Sequence, residues 1–137
     1  MDALYPRLLT TRFADCFRFY DGVLTACIGA HRAGGTEDGP YASWDQGTEG
    51  VLALLDRGLM AKVTGLDLSG GDGTASPAVM LVIKVHDVER AAAVAAAHGG
   101  EIAVPPADRP EFGPTARTAH LRDPDGNLVE FQSYRTP

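Results

Sequence analysis

The feature that most constrains this chain is an order of elements that reads twice along its 137 residues. The first pass opens with a strand-like stretch over 4–11. A helix follows from about Phe13 to Leu24, where Phe13, Phe17, Tyr20 and Leu24 recur at helical spacing. Three strand candidates come next, near 26–33, 40–46 and 51–56, separated by glycine-containing stretches. After a short helical turn within Gly58–Leu66 and a flexible Gly/Ser-rich connector over 69–76, the order restarts. Ala78 to Val85 reads as a strand, Asp87 caps a helix over Val88–His98 that Gly99-Gly100 stops, and strands follow near 101–104, 116–122 and 128–133. A shift of 75 residues places Arg12-Phe13 on Asp87-Val88 and Leu8 on Ile83; a shift of 76 places Gly50 on Gly126 and Leu54 on Glu130. Such self-similarity demands that every element agree in order and spacing. It predicts one α+β domain over 1–137: a β-α-β-β-β module over about 1–56, a linker over about 57–77 and a second module over about 78–137.

Composition narrows the partners. With 45% hydrophobic residues the chain has material for one packed core. Its 12 basic residues are scattered singly among 18 acidic ones, a net charge of -6, so the basic footprint of a nucleic-acid binder is missing. No basic segment leads into an apolar run near the N-terminus, and no later run has the length of a membrane span, so a cytoplasmic protein is expected. Cys16 and Cys27, in stretches that read as helix and strand, have neither CxxC spacing nor a neighbouring histidine, and are expected as reduced thiols.

The stretch Ala119-His-Leu-Arg-Asp-Pro-Asp-Gly-Asn-Leu-Val-Glu-Phe resembles the signature hairpin of the vicinal oxygen chelate superfamily, which includes glyoxalases, bleomycin resistance proteins and extradiol dioxygenases. Phe17-Arg-Phe-Tyr-Asp-Gly-Val-Leu resembles that superfamily's first helix, and Val85-His-Asp-Val-Glu-Arg-Ala with Gly99-Gly extends the likeness over essentially the whole chain. The resemblance implies that the modules form a cupped mixed sheet with helices on its outer face, and that homodimers are common. It is weak for activity, because the superfamily hosts many chemistries.

Read physically, Asp123-Pro-Asp-Gly-Asn is a tight turn: proline fixes its start, and Gly126 or Asn127 can take a positive φ. If Asp123 pairs with Asn127, His120 becomes the cross-strand neighbour of Glu130. The same arithmetic in the first half pairs Trp44 with Leu54. The resemblance further implies four metal-ligand positions facing into the cup, which fall near Tyr5, Leu54, Met80 and Glu130. Only Glu130 is a competent hard ligand there, so no metal site and no cofactor are expected, with a bound divalent metal as the disfavoured alternative.

What remains is a cavity with one aromatic, apolar wall and one polar pair. Glu130 and His120 form either a general acid/base pair, with the carboxylate orienting the imidazole, or a satisfied hydrogen-bonded pair lining the cavity. Trp44 is either core or a stacking platform. Arg7, beside Tyr5, is either an anion clamp or a surface-reaching arginine. The proline-rich segment 105–114 reads as a loop over the mouth of the cup, bringing Arg109 and Phe112 as ligand contacts. The candidate site is thus Glu130 and His120 for catalysis, with Tyr5, Arg7, Trp44, Leu54, Met80, Arg109 and Phe112 for binding. The expected function is a homodimeric small-molecule-binding protein without the usual metal. The alternatives are a metal-free enzyme acting on a carbonyl-containing substrate through Glu130 and His120, a metal-dependent lyase or dioxygenase with relocated ligands, and a protein that sequesters an antibiotic.

Overall fold

In a computed structural model of the chain, which describes residues 3–69 and 78–134, the repeated order is seen directly. The first module consists of β1 (Arg7–Thr10), α1 (Phe13–Ile28), β2 (His31–Gly35), β3 (Tyr41–Gln46) and β4 (Glu49–Asp56). Helix α2 (Arg57–Thr64) follows, and the connector expected over 69–76 lies, apart from Ser69, outside the described residues. The second module consists of β5 (Leu81–Lys84), α3 (Val88–Ala97), β6 (Glu101–Asp108), β7 (Ala116–Arg122) and β8 (Leu128–Tyr134). Each module makes one four-stranded mixed sheet, in the orders β1-β4-β3-β2 and β5-β8-β7-β6, with a parallel first pair and antiparallel remainder.

Each helix has a local reason to start and stop. Asp87 and Asp56 accept from the backbone N–H groups of Arg90 and Leu59, capping α3 and α2. Glycines at positive φ, Gly29 and Gly99, follow the ends of α1 and α3. Helix α1 runs four residues past Leu24, so the strand expected over 26–33 begins only at His31 and Cys27 is helical. The helical stretch Thr25-Ala26-Cys27-Ile28 ends where Gly29 can adopt a left-handed conformation.

The second departure is at Pro105-Pro106. Instead of a loop, both belong to β6, and only the short 3-10 turn Pro110–Phe112 interrupts the path to β7. Two prolines are tolerated because β6 is an edge strand, and its ladder with β7 is irregular on both sides of Val104.

The two modules meet through α1 and α3, and their apolar faces merge into one core. Phe17, Phe19, Tyr20, Val23 and Leu24 of α1 lie in the same cluster as Ala91 and Ala95 of α3, Trp44 and Leu54 of the first sheet, and Leu121 and Phe131 of the second. Small residues make the close approach possible. A Cβ on Gly22 would fall 2.2 Å from the His98 ring, and one on Gly100 would fall 2.7 Å from Phe19. No helix among the described residues is long and apolar enough to cross a membrane.

A polar clasp reinforces this junction. The N-cap of α1 is Arg12, whose side chain caps nothing. The carboxylate of Asp125, in the β7–β8 turn of the other module, instead accepts from the backbone N–H groups of Thr11 (2.7 Å) and Arg12 (2.9 Å). Next to it the buried Tyr20 hydroxyl donates to Asp123 Oδ2 at 2.6 Å, and Asp123 also accepts from the backbone N–H groups of Asp125 and Asn127. The Asp-Pro-Asp-Gly-Asn motif is therefore a turn that also ties the second module to the first.

Asp125→Ala is expected to cost about 1 kcal/mol of folding stability, because it removes a charged cap from a helix that has no other; a urea midpoint equal to that of the parent protein would show the clasp to be energetically idle. Burial raises the Cys16 thiol and the Tyr20 phenol, with Asp123 adding repulsion to each. In the unfolded chain they ionise near their ordinary values of 9.0 and 10.0, so unfolding releases protons above pH 9. Stability is therefore expected to be full below pH 9 and to fall as the pH rises past 9 and then 10. Tyr20→Phe should flatten the upper part of that decline, measured as urea midpoints across the alkaline range.

Candidate functional site

The faces of the two sheets turned away from the helices carry the candidate chemistry, and strand register decides which residues stand there. In the second sheet Phe131 and Leu121 are core, so their neighbours Glu130 and His120 point the other way. The five-residue turn from Asp123 to Asn127 sets the expected register: Asp123 N–H donates to the Asn127 carbonyl at 2.9 Å, and His120 stands opposite Glu130. A row then crosses the whole sheet, Val82 on β5, Glu130 on β8, His120 on β7 and Val104 on β6. The adjacent row is Lys84, Gln132, Thr118 and Ala107.

At the centre of the first row His120 Nε2 lies 2.8 Å from Glu130 Oε1, with side-chain exposures of 16% and 5%. Gln132 Nε2 donates to the other carboxylate oxygen at 3.1 Å. With Glu130 as a carboxylate, which only accepts, a neutral His120 imidazole carries its proton on Nε2 and its lone pair on Nδ1. That Nδ1 is buried and has no hydrogen-bond partner among the described residues. Leaving such an atom unpaired costs about 1–3 kcal/mol, so its presence calls for a reason. Around the pair the surface is apolar: Val82 is 51% exposed, and Met80 and Val104 are exposed as well.

Of the other residues singled out by sequence, Arg109 joins this face. Its Nε donates to Thr118 Oγ1 at 3.3 Å, and Thr118 stands opposite Gln132. Phe112 is exposed beyond the end of β6. Tyr5 and Arg7 pair with each other, Arg7 Nη2 donating to the Tyr5 hydroxyl at 3.4 Å, on the first module rather than with Glu130. Thr118 and Gln132 were not singled out, although stepping two residues along each strand from His120 and Glu130 reaches both.

Trp44 and Leu54 need correction. They do share a face, but it is the helix side, and both are fully buried. The Trp44 ring packs on Phe17 with centroids 5.4 Å apart, and its Nε1 donates to Asp21 Oδ1 at 3.0 Å. Trp44 stands opposite Leu52, and Leu54 opposite Ala42. The first hairpin closes through the two residues Gly47 and Thr48, with an irregularity between Trp44 and Asp45, whereas the second uses a five-residue turn. The repeat therefore slips by one residue in the last strand. Arg7 opposes Ala53 just as Val82 opposes Glu130, so Glu130 has Ala53, not Leu54, as its counterpart.

Two β-α-β-β-β modules on one core, with a polar pair on a helix-free sheet face, define a paired-module α+β protein. A family model described as the Glyoxalase/Bleomycin resistance protein/Dioxygenase superfamily matches residues 5–131, and the chain belongs to that superfamily. It is 34% identical over 131 residues to YraH of Bacillus subtilis (strain 168), an uncharacterised protein, covering 96% of this chain and 97% of the relative. Among solved structures, a glyoxalase/bleomycin resistance protein/dioxygenase family enzyme from Burkholderia phytofirmans PsJN superposes with a TM-score of 0.74 at 18% identity, covering 98% of this chain and 100% of that one. A glyoxalase/bleomycin resistance protein/dioxygenase from Nocardioides superposes with a TM-score of 0.68 at 22% identity, covering 95% and 81%. At these identities the two structures establish the fold alone.

The four ligand positions implied by the resemblance do not fit a divalent ion in this chain. Leu54 is core, and its neighbour on the exposed face is Ala53. Tyr5 and Met80 offer a phenol and a thioether, and the one carboxylate is already bonded to His120 and Gln132. Among the described residues no three His, Cys, Asp or Glu side chains gather into a group that could hold a metal ion.

Trp44 is the sole tryptophan, so its fluorescence reports this core directly. Acrylamide is expected to quench it poorly in the native protein and freely after unfolding, while Trp44→Ala should cost about 3–5 kcal/mol of stability. Native quenching as efficient as that of free indole would contradict the assigned burial.

Proposed function

We propose that the protein binds a small organic molecule on the helix-free face of the second sheet, over the row Val82, Glu130, His120 and Val104, and that it does so without a metal. The observation that carries this reading is the buried acid–imidazole pair set between exposed aliphatic side chains. Apolar surface with a few convergent polar groups is the usual composition of a small-molecule site. Arg109, held across β7 by Thr118, adds a cation to the same face.

The hydrogen-bonded Glu130–His120 pair supports a second reading, in which the bound molecule is also a substrate. The carboxylate and the imidazole then act as an acid–base pair that moves a proton at a carbon next to a carbonyl group. The bare aliphatic face favours a homodimer in which a second copy closes over the bound molecule and the exposed Met80, Val82 and Val104 around it. The two unpaired thiols suit a cytoplasmic, reducing setting.

One purification tests these points together. Protein prepared without chelators is expected to contain far less than one zinc, nickel, iron or manganese per chain, and to scatter light with twice the 14.5 kDa chain mass; near-stoichiometric metal would overturn the metal-free reading. Small carbonyl compounds found to bind by ligand-observed NMR should lose affinity by about tenfold in Glu130→Leu. Unchanged binding in that variant would remove Glu130 from the site. For the catalytic reading, His120→Ala should abolish turnover while leaving binding measurable.

A further inference from the structure

A cleft of about 700 Å³ opens at the other end of β5, where the two modules meet. Its walls come from both: Cys27 and Ile28 at the end of α1, Gln46 at the end of β3, and Lys84, His86 and Tyr134 from the second module. From these residues we propose a second ligand site, for a planar aromatic anion, at the ends of β5 and β8 and separate from the Glu130–His120 pair.

The charge of the lining is the first argument. The chain carries a net charge of -6, yet among the described residues no carboxylate lines this cleft, whereas Lys84 and His86 do. Lys84 makes no ion pair among the described residues. Its ammonium instead lies 5.4 Å from the centroid of the Tyr134 ring. The end of α1 would oppose an anion through its exposed carbonyls, but two of the last four are engaged by side chains. Arg90 Nη1 donates to the Ala26 carbonyl at 3.0 Å, Gln46 Nε2 to the Ile28 carbonyl at 2.7 Å, and Gly29 N–H to that of Leu24. Arg90 thereby brings a second fixed positive charge close to the cleft.

Shape is the second argument. The volume suits a small organic ligand, and Tyr134 supplies a ring face, with Ile28 and Val85 as aliphatic walls. A flat ring bearing a carboxylate can rest on this surface and place its charge on the Lys84 ammonium, where a charge-assisted hydrogen bond forms.

The two cysteines make the site testable in the intact protein. Cys16 is fully buried, while Cys27 lies in the cleft wall, half-buried, with its thiol raised by that burial. The probes are 2-naphthoate and its neutral isostere 2-naphthamide, with calorimetry for affinity and N-ethylmaleimide modification of Cys27, followed by mass spectrometry, for location. Naphthoate is expected to bind about tenfold more tightly than the amide and to slow Cys27 modification. Lys84→Met should abolish both the preference and the protection, Tyr134→Ala should weaken both probes, and His120→Ala should keep the parent's naphthoate affinity and Cys27 protection. Equal affinity for the two probes, absence of binding, or unprotected Cys27 at saturating naphthoate would overturn the proposal. So would naphthoate binding lost in His120→Ala but kept in Lys84→Met, which would assign the anion to the Glu130–His120 pair instead.

Discussion

The junction between the β7–β8 turn and helix α1 is the contact on which the rest of the molecule depends. Each sheet has only one face covered by its own helix, and neither module encloses a core alone. The turn fixes their relation by placing Asp125 on the two free N–H groups at the start of α1 and Asp123 on the Tyr20 hydroxyl. Both bonds are directional, whereas the apolar packing beneath them, with Gly22 against His98 and Gly100 against Phe19, supplies most of the driving force without specifying an angle. The same five residues also set the register that brings His120 to Glu130. One turn thus aligns the modules and assembles the candidate site.

The duplication supplies a scaffold twice but chemistry once. Where the second sheet carries Glu130, the first carries Ala53, and where the second pairs an acid with an imidazole, the first has Ala53 opposite Ser43. Superfamily membership therefore predicts the architecture and leaves the reactivity to be argued from the residues. On this chain they place a lone carboxylate, already bonded on both oxygens, in an apolar setting. That environment suits orienting a neighbour or a ligand better than holding a doubly charged ion.

How far the sequence could be read depended on whether local chemistry fixed the geometry. The His120–Glu130 pairing follows from Asp123-Pro-Asp-Gly-Asn because a turn with a proline and a glycine leaves few alternatives, and the caps at Asp87 and Gly99 are equally local. The matching inference for Trp44 and Leu54 failed because the first hairpin closes two residues earlier and is irregular beside Trp44, neither of which the hydrophobic pattern records. An apolar residue reads alike on either side of a strand, so nothing in Trp44 itself betrayed which face it took. Pro105-Pro106 misled in the opposite sense, since proline opposes only an interior strand and β6 lies at an edge. The tie from Asp125 to α1 spans more than a hundred residues and has no sequence signal at all.

That proline pair has a further consequence. β6 is an outer boundary of the second sheet, and over Pro105-Pro106 it has no backbone N–H to offer. A passing strand would find only part of a ladder to join, so end-to-end growth of sheets from this margin is discouraged. The boundary at β5, four residues long, is hardly a better template. Contacts made by the second sheet are therefore steered away from its margins, where they would propagate without limit, and toward its open face, where an assembly can close on itself after two.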